Sequence, residues 1–252
     1  VLKIKNSTEF SFQLITDTDD ALTSKFTGIA VSFLNDNGYY FPFNNSNKAA
    51  IKSLFEDEKL TIIGFDLKFA IKILLVHDIQ IKGRLFDVQI AHYLLHPDMR
   101  NSLDVISANY LGTVLKEGSS ILGKGKTKVL FSELKGASIT DYACERSLSI
   151  FNLSRILEKE MIKNGVINLF EKMELPLSKV LAKMELEGIS LDVKMLNDFS
   201  VELTKKLSVI TSKIHNLAGI DFNIASPKQM GELLFEKMEL SKKPKKTKSG
   251  QY

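Results

Sequence analysis

The fold is decided by residues 60–72, which read LTIIGFDLKFAIK. The first six, Leu60–Phe65, form a short run rich in β-branched and aromatic side chains, which is typical of a buried strand. A helical pattern of apolar residues begins immediately afterwards, at Asp66. The stretch therefore predicts a strand that leads directly into a helix, as in layered folds that combine strands and helices.

Three further strands are predicted upstream of this unit. The runs Phe10–Ile15, Gly28–Phe33 and Tyr39–Phe43 are short and rich in aromatic or β-branched residues. Between the second and third runs lies Asn35-Asp36-Asn37-Gly38, whose Asn-Gly pair is a strong signal for a β-hairpin. We therefore expect a three-stranded antiparallel meander before the strand at residue 60.

Helical patterns surround the predicted strands. They cover Lys48–Phe55, Asp87–Leu95, Ser102–Leu111 and Thr140–Glu158. A meander followed by alternating helix and strand predicts an α/β domain over residues 1–165, with a mixed sheet flanked by helices. The segment Glu117–Lys128, which holds three glycines and two serines, is predicted to be a loop.

Residues 166–252 show no strand signal and are predicted to be all-α. An apolar stripe with helical spacing lies between Asp192, a suitable N-cap, and Gly219, a suitable C-terminal residue. Its members are Leu196, Phe199, Leu203, Leu207, Ile210, Ile214 and Leu217. A second helix is predicted from Pro176 to Gly188, with a stripe of Leu177, Val180, Leu181 and Met184. We expect the two helices to form an antiparallel hairpin.

Composition and charge narrow the class of protein. With 252 residues, 44% hydrophobic and 25% charged, the chain is neither disordered, collagen-like nor a disulfide scaffold. The net charge of +4 is concentrated at the end, because residues 241–252 contain five lysines and no acidic residue. A single cysteine, Cys144, excludes an internal disulfide bond and suits a reducing compartment.

No apolar run approaches the roughly 20 residues that a membrane-spanning helix requires. We therefore expect no membrane association and a cytoplasmic location. The chain starts at Val1 without a methionine and stops after Ser-Gly-Gln-Tyr, so it is expected to be part of a longer protein.

Several motifs resemble the 3′–5′ exonuclease domain of bacterial DNA polymerase I, a family A DNA polymerase. They are Gly64–Lys72, Gly83–Asp87, Ala91–Asp98 and Asp141–Glu145. Further along, Glu174–Leu177, Glu187–Ile189 and Phe222–Gln229 resemble the start of the family A polymerase domain, and Lys245–Gly250 resembles the tip of its thumb. The resemblance follows the family's order along nearly the whole chain. It implies an RNase H-like exonuclease fold followed by thumb helices.

The resemblance also implies where catalytic carboxylates should stand. The family's exonuclease uses two divalent cations, about 4 Å apart, held by four carboxylates. Two stand on the first strand as Asp-x-Glu, one on the helix after the fourth strand, and one is the aspartate of Tyr-x-x-x-Asp. Here the four positions hold Gln13, Ile15, Ala70 and Arg146, while Tyr142 keeps the tyrosine. We therefore expect no catalytic residue, no bound metal and no exonuclease activity.

A displaced carboxylate set is the alternative. Asp17-Thr18-Asp19, together with Asp66 and with Glu145 close to another ligand position, offers paired carboxylates for a metal-dependent exonuclease. Against it, Asp17–Asp20 also has the composition of a turn after a strand, and Arg146 stays in the site in either register.

Three other patterns are interpreted as structural. His92 and His96 stand four residues apart on a predicted helix, a spacing that can present two zinc ligands, yet no third ligand accompanies them. Cys144 lacks a histidine and carboxylate arrangement for nucleophilic chemistry and is expected to be a packed thiol. Gly123-Lys124-Gly125-Lys126 is too short for a phosphate-binding loop and is expected to be a solvated basic loop.

The lysine tail is the predicted DNA-binding element. Its density of charge suits contacts to DNA phosphates, and its resemblance to a thumb tip implies duplex DNA as partner. The predicted contacts are Lys242, Lys243, Lys245, Lys246 and Lys248, supported by Ser226, Lys228 and Gln229 at a helix N-terminus. We expect a monomer near the bacterial nucleoid, with Mg²⁺ required only by the polymerase of the parent protein.

Overall fold

The computed structural model describes residue 4 and residues 7–34, 37–134 and 136–241. Contacts divide the chain into two compact units, Val1–Gly188 and Ile189–Tyr252. The first unit contains the sheet, and the described part of the second unit is helical. The lysine tail, residues 242–252, and residues 35–36 of the predicted hairpin lie outside the described residues.

The first unit is built on a five-stranded mixed sheet in the order β3-β2-β1-β4-β5. The strands are β1 Glu9–Thr16, β2 Phe26–Leu34, β3 Asn37–Pro42, β4 Thr61–Gly64 and β5 Arg84–Asp87. β1, β2 and β3 pair antiparallel, as predicted for the meander, whereas β1, β4 and β5 pair in parallel. The predicted mixed sheet is confirmed. The short strand β5 was not predicted.

Helices cover the sheet. They are α1 Asn45–Phe55, α2 Leu67–Val76, α3 Val88–Leu95, α4 Leu103–Leu111, α5 Gly118–Leu122 and α6 Ala137–Lys163. All but α5 were predicted to within a few residues. Short 3₁₀ turns at Gly125–Thr127 and Phe131–Glu133 connect α5 to α6. The predicted loop at 117–128 is therefore partly helical.

One side of the sheet is held by aromatic packing. Phe10 and Phe12 on β1 meet Phe55 of α1 edge to face, with ring centroids 5.6 and 4.9 Å apart. All three rings are buried, and aromatic pairs in this geometry stabilise a core beyond their area burial. This cluster fixes β1, the strand that carries two of the candidate site positions.

Small polar side chains let α6 approach the sheet closely. Ser11 and Ser32, on neighbouring strands, both contact Ser147 of α6, and all three are fully buried. Ser11 Oγ donates to the Ser147 carbonyl oxygen at 2.6 Å, and the hydroxyls of Ser32 and Ser147 are 2.9 Å apart. Their hydroxyl groups are thus hydrogen-bonded, which removes the cost of burying them. This contact sets the position of α6, which carries Tyr142 and Arg146.

The chain continues through α7 Ile167–Leu169, a π-helical segment Phe170–Glu174 and α8 Leu175–Glu187. α8 belongs to the first unit. Its buried residues are Leu175, Ser178 and Ala182, and Glu185 bridges Lys68 and Lys72 of α2. The boundary between compact units therefore falls after residue 188, while the sequence motifs placed the domain boundary between 165 and 166.

In its described part, residues 189–241, the second unit contains helices and no strand, as predicted. Its long helix α9, Val193–Ala218, begins after Asp192, whose carboxylate accepts the Met195 N–H at 2.8 Å, and ends at Gly219 with φ +67°. α10, Pro227–Gly231, follows and continues as a π-helical segment, Glu232–Lys237. The pairing of α8 with α9 as a hairpin would join the two units and stays a prediction. Among the described residues, no helix combines the length and apolarity needed to cross a membrane.

Candidate functional site

The structure brings the candidate exonuclease positions to one cleft of about 230 Å³. β1 and the turn after it supply one wall, the β4–α2 junction a second, and two rings from distant segments a third. The lining residues are Phe12, Gln13, Leu14, Ile15, Thr16, Asp19, Phe65, Asp66, Phe69, Ala70, Phe131 and Tyr142. Four of the five positions named from the family pattern thus share one cavity; the fifth, Arg146, stands one turn beyond Tyr142 on α6.

The two β1 positions offer little to a cation. Gln13 uses its side-chain amide to donate to the Leu14 carbonyl oxygen at 2.8 Å. Ile15 is only 2% exposed and packs in a small apolar cluster with Ala30, Ile139 and Ala143. The C-terminal half of β1 therefore presents an amide and an alkyl group where metal binding would need carboxylate oxygens.

The third position lies on the first turn of α2. Ala70 is buried against the cleft. Asp66, just before the helix, has left-handed backbone angles (φ 53°, ψ 61°) and accepts the Phe69 N–H at 3.2 Å. One oxygen of Asp66 therefore acts as a helix cap, which accounts for an acidic residue at this edge of the cleft.

Asp87 ties the first turn of α2 to the start of α3, and the sequence analysis did not name it as a site residue. It is the last residue of β5 and is 1% exposed. Its Oδ2 accepts the Leu67 N–H at 2.7 Å, and its Oδ1 accepts the N–H groups of Gln89 at 2.8 Å and Ile90 at 3.3 Å. One carboxylate thus caps both α2 and α3. Burial raises the pKa of Asp87 to about 6, against the opposing effect of these hydrogen bonds.

Tyr142 and Arg146 face each other on α6. The Arg146 guanidinium carbon lies 4.6 Å from the centre of the Tyr142 ring, a cation–π contact. The Arg146 Nε atom is buried and has no hydrogen-bond partner in the described part of the chain. Burial raises the pKa of Tyr142, and the positive charge of Arg146 opposes that rise. A permanent cation therefore stands next to the cleft.

The rival carboxylates have other partners. Asp17 Oδ1 accepts the Ser132 N–H at 2.8 Å, which ties the end of β1 to a distant segment. Asp20 accepts the Leu22 N–H and the Thr23 hydroxyl, and these bonds lower its pKa. Asp19 is exposed at the cleft, and Glu145 accepts the Lys116 N–H at 3.1 Å. Within the described ranges, no group of three or more His, Cys, Asp or Glu side chains is placed to hold a metal ion.

The other residues considered for metal binding or nucleophilic chemistry, His92, His96 and Cys144, lie outside the cleft lining and are packed in the structure. His92 is fully buried, its Nδ1 lies 3.0 Å from Asn101 Oδ1, and its ring centroid is 5.5 Å from that of His96. Burial lowers the pKa of His92, which disfavours its charged form. Burial raises the pKa of Cys144 to about 11, so that thiol is not activated as a nucleophile.

In the second unit, the predicted phosphate contacts take part in a helix cap. Ser226 Oγ accepts the Gln229 N–H at 3.4 Å, and Gln229 Oε1 accepts the Asn223 N–H at 2.8 Å. Lys228 lies 3.9 Å from Glu232. Gln229 therefore closes the turn onto Asn223, a partner that the sequence analysis did not name.

Two family models match the chain. A model described as 3′–5′ exonuclease matches residues 1–162, and a model described as DNA polymerase family A matches residues 193–252. The two matches follow one another in the order that the motifs predicted.

Relatives and solved structures agree with these models. The chain is 34% identical to DNA polymerase I of Bacillus subtilis, over 88% of the chain and 25% of the relative. It is 33% identical to DNA polymerase I of Borreliella burgdorferi, over 97% of the chain and 27% of the relative. The chain thus spans about a quarter of the length of these relatives.

Two structural likenesses show the fold. A structure described as the POL domain of Pol1 from M. smegmatis, in complex with DNA primer-template and dNTP, has a TM-score of 0.76 at 24% identity. That likeness covers 100% of this chain and 41% of that one. Brucella melitensis NrnC has a TM-score of 0.62 at 16% identity, covering 75% of this chain and 92% of that one.

Proposed function

The chain belongs to the 3′–5′ exonuclease family, and on that premise we propose that its cleft has lost DNA hydrolysis and serves as a folded scaffold. The parent function would be that of a DNA polymerase I, in DNA replication and repair. The segment matching DNA polymerase family A would contribute a thumb that grips duplex DNA. In the parent, Mg²⁺ would serve the polymerase site, and the protein would act as a monomer in the bacterial cytoplasm.

The observation that carries the loss of hydrolysis is the chemistry of the cleft. The positions that the family pattern assigns to four carboxylates hold an amide, two alkyl groups and, next to the cleft, a guanidinium. Two divalent cations need several oxygen ligands and negative charge to offset their own. These side chains supply neither, so they do not fit a pair of catalytic metal ions.

We expect no 3′–5′ exonuclease activity from the purified chain. A single-stranded oligonucleotide labelled at its 5′ end, incubated with Mg²⁺ or Mn²⁺, should keep its full length, because no site activates water. A family member that has all four carboxylates provides the positive control on the same oligonucleotide. Metal-dependent release of mononucleotides by this chain, above a heat-inactivated sample, would overturn the proposal.

Restoring one carboxylate should not restore cleavage. In Arg146→Asp, three ligand positions still lack a carboxylate, and Ile15 remains packed against Ile139 and Ala143. A single aspartate cannot hold two divalent cations. The variant should therefore stay at the background level in the oligonucleotide assay, with circular dichroism as the check on folding. Rescue by this one change would show that the assigned register is wrong.

A second candidate function is an active metal-dependent exonuclease that uses Asp17, Asp19 and Asp66. The observation in its favour is that Asp19 and Asp66 both line the cleft. Against it, one carboxylate oxygen of Asp17 and one of Asp66 each already accept a hydrogen bond from a backbone N–H. If the chain degrades DNA, the variants Asp19→Asn and Asp66→Asn test this candidate, with Asp57→Asn, which lies outside the cleft lining, as the control. Loss of activity in the first two and not in the control would support it.

A further inference from the structure

A groove in the first unit lies between the outer edge of the sheet and helix α8, and it has no role in the function proposed above. Two cavities, of about 440 and 190 Å³, form it, and they adjoin because Lys179 lines both. We name the space between residues 80–85 and residues 175–183 the edge groove. It shares no lining residue with the exonuclease cleft.

One wall of the edge groove ends in β5, the outermost strand of the sheet. β4 pairs with one edge of β5 from Arg84 to Asp87. Within the described residues, no strand pairs with the other edge. Gly83, Arg84 and Leu85 line the larger cavity, so this end of the sheet lies beside open space. An unpaired strand edge next to a cavity can accept the backbone of an extended peptide as a further strand.

The opposite wall, α8, contributes two cations without a counter-charge. Lys179 and Lys183 are exposed, line the edge groove and stand one helical turn apart. The ion pairs found among the described residues include neither lysine. Glu171, the carboxylate in the lining of the larger cavity, keeps its negative charge but is balanced by Arg84 at 2.6 Å. The groove therefore carries a net positive charge, which an acidic partner would complement.

The smaller cavity offers room for an apolar side chain. Ile71 and Leu75 of α2, together with Ile81, give it an apolar surface. Its volume is about 190 Å³, and an apolar cavity of about 150 Å³ is already large enough to hold a benzene ring. The edge groove thus combines a free strand edge, two unpaired cations and a pocket for one apolar anchor.

We propose that the edge groove binds an extended acidic segment of a partner protein. The backbone of that segment would pair with the free edge of β5, an apolar side chain would fill the smaller cavity, and flanking carboxylates would contact Lys179 and Lys183. A nucleic acid fits less well, because the described lining of the two cavities includes no aromatic ring on which a base could stack. Glu158 and Glu171, which flank Arg84, would also repel a chain of phosphates.

Equilibrium peptide binding tests the charge contacts. The probe is the fluorescein-labelled peptide Asp-Glu-Leu-Phe-Asp-Glu, and its anisotropy is measured with the full chain and with the variant Lys179→Glu, Lys183→Glu. Because the variant replaces two attractions by repulsions, its affinity for the probe should be at least about tenfold lower at low salt. The charge-reversed peptide Lys-Arg-Leu-Phe-Arg-Lys should bind the full chain at least about tenfold more weakly than the probe. Absence of saturable binding of the acidic probe would overturn the proposal.

A matched control makes the same charge change elsewhere on the first unit. Lys159 and Lys163 are exposed and stand at the same spacing on α6, and neither lines the edge groove. The variant Lys159→Glu, Lys163→Glu should keep the affinity for the probe within about twofold, because screening by salt weakens distant charges. Equal losses in the two double variants would mean that only net charge matters, and would overturn the proposal. Unchanged binding in the groove variant would overturn it as well.

Backbone pairing with β5 is tested with methylated peptides. In one version of the probe the first, third and fifth amide nitrogens are methylated, and in the other the second, fourth and sixth. Since alternate amides of a strand face one neighbour, one version should lose at least about tenfold in affinity and the other should stay within about threefold of the probe. Equal binding of the two versions would rule out addition of the peptide as a strand.

The choice of ligand is tested by competition in EDTA. An unlabelled oligothymidylate should not displace the acidic probe, whereas the unlabelled acidic peptide should displace it completely. Displacement by the oligothymidylate, together with loss of its own binding in Lys179→Glu, Lys183→Glu, would identify the edge groove as a nucleic-acid site and overturn the proposal. The assay measures neither cleavage nor duplex binding, so its outcome is separate from those of the exonuclease and thumb proposals.

Discussion

Replacing Asp87 by alanine should lower the free energy of unfolding of the first unit by about 2–4 kcal/mol at neutral pH. The carboxylate accepts hydrogen bonds from three backbone N–H groups, those of Leu67, Gln89 and Ile90. Removing it takes the N-cap from α3 and a capping bond from α2 at once. Urea denaturation followed by circular dichroism measures the loss.

The effect of Asp87→Ala should grow as the pH falls. The pKa of Asp87 is raised from 3.8 to about 6 by burial. Because folding raises this pKa, Asp87 binds its proton more tightly in the folded state than in the unfolded state. Proton binding therefore adds most to the free energy of unfolding below pH 3.8, and this addition is lost as the pH rises to about 6. Each pKa unit is equivalent to about 1.4 kcal/mol. Between neutral pH and about pH 5, the difference between wild type and variant should therefore widen by about 1 kcal/mol.

Two control variants test whether the loss of stability and its pH dependence come from Asp87. Asn44→Ala removes the cap of α1, where Asn44 accepts the N–H groups of Ser46 and Asn47 at the exposed surface. It should cost only about 1 kcal/mol, with no change between pH 5 and 7. Asp87→Asn keeps the shape but cannot titrate, so its stability difference from wild type isolates the ionisation of Asp87. A cost for Asp87→Ala no larger than that of Asn44→Ala, or one independent of pH, would refute the role given to Asp87.

Most of the sheet could be predicted from the sequence, and the exceptions have a physical cause. β1 to β4 show their own runs of aromatic or β-branched residues, and the helices around them show apolar periodicity. β5 escaped prediction because its four residues run straight into α3, so no independent strand pattern develops. In the sequence, α8 shows an apolar stripe formed by Leu177, Val180, Leu181 and Met184. Its buried face instead carries Leu175, Ser178 and Ala182, two of them small.

The positions of the cleft could be predicted, but its supports could not. The motif order identified Gln13, Ile15, Ala70 and Tyr142, which the structure places along one cavity. The hydrogen bond from the Ser132 N–H to Asp17 joins residues 115 positions apart, so no local sequence pattern predicts it. Asp87 looks like an ordinary helix start in the sequence. Its second bond, to the Leu67 N–H, depends on two parallel strands ending side by side.

The lysine tail is the element whose removal should affect duplex binding most. The variant changes Lys242, Lys243, Lys245, Lys246 and Lys248 to glutamine. Each lysine that contacts a phosphate releases a counterion, so log affinity falls with log salt with a slope of about −0.9 per contact on duplex DNA. Five contacts correspond to a slope of about −4.5, equivalent to several hundred-fold between about 50 and 200 mM salt. The glutamine variant should lose that slope and bind duplex at least about 100-fold more weakly at low salt.

A charge-preserving variant separates phosphate contact from other roles of the tail. With the same five lysines changed to arginine, the charge is kept, so duplex affinity and salt slope should stay near those of wild type. Affinity should also be independent of base sequence, because phosphate contacts carry no sequence information. If the glutamine variant instead binds duplex as tightly as wild type, the tail does not grip DNA. The second unit would then be an interaction module with no DNA role, because its other predicted contacts, Ser226, Lys228 and Gln229, already have partners close by in the sequence.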